Sequence, residues 1–295
     1  MNPKVRLFNA LPEFPKRWIT SCYIQFRKIN EAFYARLYEI LDQGDDETLK
    51  AVYLTGFPRS GTTVMKYYFS QYPGLQMQKF DPAGFQITWA VVRRTSPDAP
   101  VLVDKSNHYV QEPRKIFQGC GKRVAICCMV RDPRDSLLSL QSFPESREAP
   151  RNADFWIYWY RTYRNFLDFA AQSPFGENIF FLRMEDFAAS PVEAKIAYLT
   201  WLGLDPKIEP IDDKYKLPET REFVTDKVHS WSSISTEPAE RWRTKDLTEE
   251  TEKLLSGWRD HPQVAALMSE LGYGPDSLGP IGLQSGNFNI FRPTA

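Results

Sequence analysis

Short apolar runs alternate along this chain with stretches that have helical periodicity. The segments that we interpret as strands lie at 52–54, 75–80, 124–130 and 178–184 and at the start of 101–110, which ends in polar residues. The run at 124–130 is apolar throughout rather than alternating, which is typical of a strand buried on both faces of a parallel sheet. The pattern predicts an α/β fold, with a central parallel sheet flanked by helices.

The first apolar run continues into GFPRSGTT at residues 56–63, a turn followed by renewed helical periodicity. Backbone N–H groups of such a loop and helix start converge on an anion. Gly56 and Gly61 have the spacing of the nucleoside-triphosphatase pattern G-x-x-x-x-G-K-[ST], but Thr62 replaces the lysine and a cation, Arg59, lies inside the loop. The loop therefore predicts a phosphate-type site and disfavours phosphoryl transfer from ATP. A purely structural strand-to-helix connection is the alternative.

A second basic turn follows the apolar run Val124–Val130, in the sequence VRDPRDSLLS. Arg131 comes directly after this strand, so we expect it at the carboxyl edge of the sheet, where ligands of open α/β folds bind. Ser139 lies eight residues later and joins Arg131 only if the helix turns back toward the site. The alternative for Arg131 is a salt bridge to Asp132 or Asp135.

Taken together, the two motifs resemble those of the 3′-phosphoadenosine 5′-phosphosulfate (PAPS) sulfotransferases, over roughly residues 51–243. The resemblance implies a P-loop-like sulfotransferase fold, in which the first motif binds the 5′-phosphosulfate and the second binds the 3′-phosphate. The implied phosphosulfate contacts are Arg59, Ser60, Gly61, Thr62 and Thr63. The implied 3′-phosphate clamp is Arg131 with Ser139.

The same resemblance implies catalytic groups for in-line transfer of the sulfuryl group. The segment VLVDKSNHYV at 101–110 resembles family strand ends in which a lysine faces the sulfuryl group. The resemblance therefore implies that Lys105, together with Arg59, lies beside the sulfuryl group. Fixed cations would stabilise charge on the leaving oxygen. Two general bases stay open: His108, one residue further along than in the family's Lys-Thr-His, and Asp81, after the second strand. Structural alternatives are pairing of Lys105 with Asp104, a hydrogen-bonding role for His108 and a turn or cap role for Asp81.

Two later segments complete the resemblance. Residues 184–186, Met-Glu-Asp, resemble the family's Tyr-Glu-Asp at the nucleotide site, with Met184 offering an apolar contact in place of a tyrosine. The sequence Arg241-Trp242-Arg243 resembles the basic loop that closes over the 3′-phosphate. Its alternative is an ordinary basic lead into a helix.

Composition limits the partners and the location that we expect. The 37 Lys and Arg residues balance 37 Asp and Glu residues, which argues against nucleic acid or a polyanion as the partner. No signal-type segment begins the chain, and no run reaches the roughly 20 apolar residues that span a bilayer, so we expect a cytoplasmic protein without a membrane partner. The four cysteines lack metal-ligand spacing. We expect free thiols and no metal.

We expect residues 1–295 to form a single sulfotransferase domain. Residues 1–50 contain an aromatic helical stretch that is predicted to cover the sheet. Residues 205–247 lack apolar periodicity and are predicted to be a loop or lid over the site. The aromatic segment 155–169 is predicted to be mostly core, although one face of it could line an acceptor pocket.

The expected acceptor is a small soluble molecule with a hydroxyl or amine, and a role in natural-product tailoring follows from the resemblance only. PAPS is the expected co-substrate, and the desulfated nucleotide PAP is the product. Two other functions stay in view: a small-molecule kinase, which would bind ATP with magnesium, and a non-catalytic PAP-binding module. The sequence leaves the oligomeric state open.

Overall fold

The structure is a computed structural model that describes residues 48–77, 100–117, 121–142, 149–207, 241–244, 246–275, 278–283 and 288–293. All of them belong to one compact unit, Glu47–Asp81 with Thr95–Ala295. The helical cover predicted for residues 1–50 lies almost entirely outside the described residues. Most of the lid predicted for 205–247 also lies outside them.

Within the described residues, one sheet contains six strands in the order β2-β3-β1-β4-β5-β6, and every neighbouring pair is parallel. The strands are β1 (Ala51–Gly56), β2 (Leu75–Met77), β3 (Val101–Lys105), β4 (Val124–Val130), β5 (Ile179–Arg183) and β6 (Asn289–Ile290). The predicted α/β class with a central parallel sheet is confirmed. Because the strands run in one direction, the polar ends of β1, β3, β4 and β5 lie along one edge.

The described helices pack around this sheet. They are α1 (Thr62–Phe69), α2 (Pro113–Phe117), α3 (Pro133–Gln141), α4 (Asp154–Gln172), α5 (Met184–Ala189), α6 (Pro191–Trp201), α7 (Arg241–Thr244), α8 (Glu249–Ser256) and α9 (Pro262–Glu270). The start of α3 follows from its sequence. The Asp132 carboxylate accepts the backbone N–H of Arg134, and Pro133 occupies the first turn, where it costs no helical hydrogen bond.

The central strands β1 and β4 are buried along their whole length, as the continuous apolar run predicts. In the hydrophobic core, Phe69 of α1 stacks on Tyr198 of α6 with the ring centroids 4.2 Å apart. Cys127 and Cys128 are free and buried in β4, and burial raises the pKa of both thiols. Most of the aromatic residues of α4 are core, as predicted. Its buried rings are Phe155, Trp156, Trp159, Tyr163 and Phe166.

Candidate functional site

The first motif forms a tight loop between β1 and α1. Arg59 and Gly61 both have left-handed backbone conformations, with φ of 72° and 96°. Gly56 cannot carry a side chain here, because a Cβ would collide with the carbonyl oxygen of Met129 and with Oγ of the fully buried Ser60. Helix α1 receives no side-chain cap at its N-terminus, and its first turn contains no acidic residue. The positive end of the α1 dipole thus lies at this loop, and no acidic side chain in the first turn offsets it.

The two motifs meet directly through their arginines. Arg59 Nε donates to Ser139 Oγ at 2.9 Å, and Arg131 Nη1 donates to the carbonyl oxygen of Arg59 at 3.1 Å. Helix α3 thus turns Ser139 toward the loop, as the predicted clamp requires. Arg131 is only 6% exposed and also lies 4.0 Å from Asp135, measured from Nη2 to Oδ2. Asp132, the other acid considered for Arg131, is instead paired with Arg134 at 2.7 Å.

The end of β3 joins the same edge of the sheet. Lys105 is its last residue and lies in register with Leu54 of β1. Thr62 Oγ1 donates to Asn107 Oδ1 at 3.1 Å, so the first turn of α1 is tied to the short 3₁₀ segment Asn107–Val110. Asn107 was not among the predicted site residues, and its position two residues after Lys105 was the available signal. The backbone of His108 belongs to this segment, whereas its side chain lies outside the described part of the structure.

Asp81, the alternative base, lies outside the described residues altogether. At the end of β3, the structure describes a fully buried carboxylate, that of Asp104. Its Oδ1 accepts the backbone N–H of Lys105 at 2.7 Å and its Oδ2 accepts the Tyr109 hydroxyl at 2.8 Å. Asp104 therefore holds the backbone at the end of β3.

Met184 lies against the first loop, although the strand predicted for 178–184 ends one residue before it. It begins α5, and its Sδ would be 2.5 Å from a Cβ placed on Gly61. The strand ends at Arg183, and the helix that follows has Glu185 and Asp186 in its first turn, where the dipole favours acids. The Met184 side chain therefore lies beside the first loop, and its contact with a nucleotide stays a prediction.

Glu185, the middle residue of the Met-Glu-Asp segment, is a buried carboxyl group next to the second motif, and the sequence analysis gave it no role of its own. Its Oε1 accepts the backbone N–H of Asp132 at 3.0 Å, and its Oε2 accepts the hydroxyl of Tyr273 at 2.9 Å. Burial and, after it, the charge of Asp132 raise the pKa of Glu185 to about 7, while the backbone hydrogen bond from Asp132 and the charge of Arg131 act in the opposite direction. This carboxyl group can change its charge near neutral pH beside the arginine of the second motif.

The segment Arg241–Thr244 docks on α3. The backbone N–H of Trp242 donates to Asp135 Oδ1 at 3.1 Å, and its ring lies 3.8 Å from the guanidinium carbon of Arg134. Arg243 lies on the same ring, with its guanidinium carbon 4.8 Å from the centroid. The basic segment predicted to close over the 3′-phosphate is therefore attached to the helix that carries Ser139. The side chain of Arg241 is outside the described part.

Tyr163 is a further residue at this edge, on the aromatic segment 155–169 that the sequence predicts to be mostly core. Its hydroxyl accepts the backbone N–H of Phe57 at 3.0 Å and donates to the carbonyl oxygen of Met129 at 2.8 Å. Nothing in the sequence distinguishes it from the other rings of α4, because the contact joins residues 106 and 34 positions apart.

Among the described residues, no group of three or more His, Cys, Asp or Glu side chains is arranged to hold a metal ion. Within the same ranges, none of the helices combines the length and apolar character required to cross a bilayer.

No protein-family model matches the sequence, and no curated protein matches it either. The fold is similar to that of solved sulfotransferase structures. With the sulfotransferase domain from the curacin biosynthetic pathway the TM-score is 0.49 at 18% identity, covering 72% of this chain and 98% of that one. With the sulfotransferase domain of the Synechococcus PCC 7002 olefin synthase the TM-score is 0.47 at 16% identity, covering 74% and 98%. With a mouse sulfotransferase complexed with PAP it is 0.41 at 16% identity, covering 57% and 63%.

At these identities and TM-scores, the similarity concerns the fold alone. The function is therefore argued from the geometry of the site.

Proposed function

We propose that this protein is a sulfotransferase that binds PAPS across the two motifs and transfers its sulfuryl group to a hydroxyl or amine of a small acceptor. The observation that carries the proposal is the meeting of Arg59, Ser139 and Arg131 beside the uncapped N-terminus of α1. Two guanidinium groups, a hydroxyl and a helix N-terminus form a donor set suited to anions.

The donor set fits a ligand with two separate phosphate-type groups. The loop and the first turn of α1 would hold the 5′ group, through Arg59, Ser60, Gly61, Thr62 and Thr63. On the other side, α3 and the segment docked on it would hold the 3′-phosphate, through Arg131, Ser139, Arg241, Trp242 and Arg243. Met184, which lies against Gly61, would contact the nucleoside between them. This division supports PAPS over ATP, because Thr62 stands where an ATP site has its lysine.

When bound, PAPS supplies the sulfuryl group that moves to the acceptor. Arg59 and Lys105 would stabilise the negative charge that develops on the phosphate oxygen left behind. Removal of one such preorganised donor typically lowers the rate by about 10²–10³. His108 or Asp81 would take the proton from the acceptor, a role usually worth on the order of 10²–10⁴ in rate. Thr62, held by Asn107, would keep the loop and the end of β3 in fixed positions.

We also propose a cytoplasmic location and a small acceptor. The free thiols of Cys127 and Cys128 are consistent with a reducing compartment. The equal numbers of acidic and basic residues provide no overall positive field for a polyanionic acceptor.

The test is calorimetric titration with PAP, run beside ATP with magnesium. We expect micromolar or tighter PAP binding, no ATP binding, and a loss of PAP affinity of about 10–100-fold in Arg131→Met, since a charged hydrogen bond contributes about 1.5–3 kcal/mol. The matched control is Arg161→Met, which removes an exposed arginine of α4 and should leave affinity unchanged. Binding of ATP with magnesium in place of PAP would overturn the proposal and favour a kinase.

Turnover distinguishes an enzyme from a binding module. Incubation with PAPS and a panel of small hydroxyl and amine acceptors should release PAP only when an acceptor is present. Tight PAP binding with no transfer to any acceptor in a broad panel would instead favour a non-catalytic module.

A further inference from the structure

The hydroxyl of Tyr163 lies where strands β1 and β4 stop pairing. The two strands are in register as far as Gly56 and Met129. One residue later the Tyr163 hydroxyl bridges them, because it accepts the N–H of Phe57 at 3.0 Å and donates to the carbonyl of Met129 at 2.8 Å. The side chain is fully buried. A side chain from α4 thus replaces a direct contact between the two backbones.

The two bridged backbone groups have the same sequence offset from the two arginines of the site. Phe57 lies two residues before Arg59, and Met129 lies two residues before Arg131. Each arginine belongs to a different motif, and each motif would hold a different phosphate-type group. The distance between the two subsites therefore depends on how Tyr163 holds these two points.

The surroundings allow little adjustment of the bridge. The ring of Phe57 packs edge-on against Phe155 and Tyr158 of α4, with centroids 5.5 and 5.6 Å apart. Burial raises the pKa of the Tyr163 phenol well above its ordinary value of 10, so the hydroxyl keeps its proton and remains a donor. Replacement by phenylalanine would keep the ring and leave a buried N–H and a buried carbonyl without this partner.

We propose that Tyr163 is a positioning residue that sets the spacing between the two anion subsites, and that it thereby selects nucleotides with phosphate groups on both the 3′ and 5′ sides. The inference rests on the proposed function. A ligand that occupies both subsites depends on their spacing, whereas a ligand with one phosphate occupies a single subsite. Loss of the bridge should consequently weaken the first ligand more than the second.

The test compares PAP with adenosine 5′-monophosphate by competitive calorimetry on the wild type and on Tyr163→Phe. We expect the Kd for PAP to rise about tenfold, which corresponds to about 1.4 kcal/mol, and the Kd for the monophosphate to change less than about threefold. The matched control is Tyr198→Phe, because Tyr198 is equally buried and its hydroxyl has no hydrogen-bond partner among the described residues. Equal changes for the two nucleotides, or no change for either, would overturn the inference.

A destabilised core is the other explanation for weaker binding, and Leu199→Ala tests it. Leu199 is fully buried in α6, so its truncation lowers stability without removing the bridge. If this variant loses PAP affinity as much as Tyr163→Phe does, Tyr163 has no special positioning role.

Hydrogen exchange on the wild type provides a measurement that needs neither a variant nor a ligand. The Phe57 amide should be protected in the free protein, since its acceptor is a buried hydroxyl. Exchange as fast as that of an open loop would refute the bridge. Failure of the wild type to bind PAP, with the Phe57 amide still protected, would refute the proposed function and leave the bridge intact.

Discussion

Replacement of Glu185 by glutamine should remove a pH dependence of stability that the wild-type protein has. The carboxyl group is buried between the N–H of Asp132 and the hydroxyl of Tyr273, and these two groups donate hydrogen bonds to it. Glutamine has the same shape and can accept the first bond through its amide oxygen. The substitution therefore removes the titrating proton with little change in packing.

The magnitude follows from the pKa, which burial raises from 4.5 to about 7. Between these two pH values the folded protein keeps the proton while the unfolded chain releases it. The free energy of unfolding therefore falls as the pH rises from about 4.5 to about 7, and it levels off above that range. The total decrease is up to about 3 kcal/mol, since each pKa unit corresponds to about 1.4 kcal/mol.

The assay is urea unfolding of the wild type and Glu185→Gln at several pH values from 5 to 8. We expect the stability of the wild type relative to the variant to fall across this range by an amount approaching the calculated total. The control is Glu250→Gln, an exposed glutamate of α8, whose pH profile should follow the wild type. If the free energies of unfolding of the wild type and Glu185→Gln differ by the same amount at pH 5 and at pH 8, Glu185 is not a buried carboxyl group that titrates in this range.

Three further outcomes are expected. Gly56→Ala should abolish PAP binding and cost roughly 1–3 kcal/mol in urea unfolding, because its Cβ collides with the loop, whereas Gly279→Ala, with space for a Cβ, should be tolerated. Trp242→Ala should raise the Kd for PAP several-fold in calorimetry, with a stability loss of no more than about 2 kcal/mol, since it removes the stacking on Arg134; unchanged affinity would separate this segment from the nucleotide. The wild-type Kd for PAP, divided by that of Glu185→Gln, should rise as the pH passes about 7, because the anionic carboxyl group opposes phosphate binding; a constant ratio would contradict this.

The loops at the strand ends were predictable because their chemistry is local in sequence. Gly56 and Gly61 mark a turn wherever the rest of the chain lies, and an arginine directly after a buried strand has to emerge at the carboxyl edge of a parallel sheet. The sequence predicted Ser139 as a partner of Arg131 if its helix turns toward the site; the hydrogen bond of Ser139 with Arg59 was not itself predicted. Predictions of this kind require only the direction of the strands and the length of the helix that follows.

Contacts made by single side chains over long separations were not predictable. Tyr163 is one of several rings on α4, and periodicity treats all its buried members alike. Glu185 depends on Tyr273, which lies 88 residues further along the chain. The role of Asn107 depends on Thr62, which lies 45 residues earlier in the chain. In each case the role depends on which neighbour the folded chain supplies.

Arg131 and Arg134 show most clearly how the fold separates residues that have the same chemistry. Both belong to the basic turn after β4, and the sequence analysis assigned a phosphate only to Arg131. Arg134 is committed to structure, because its Nε and Nη2 donate to Asp132 and it also donates to the carbonyls of Gly274 and Pro275. The ring of Trp242 covers its guanidinium face.

Arg131 points instead into the first loop, where it reaches the carbonyl of Arg59. The positive charge that this turn contributes to the candidate site is consequently that of Arg131. Arg134 holds the C-terminal segment and Trp242 in place around α3. Asp132 decides this division. It caps α3 and pairs with Arg134, and the carboxylate that lies 4.0 Å from Arg131 is that of Asp135. An anion that binds at Arg131 therefore meets a helix whose position is already fixed by a separate arginine.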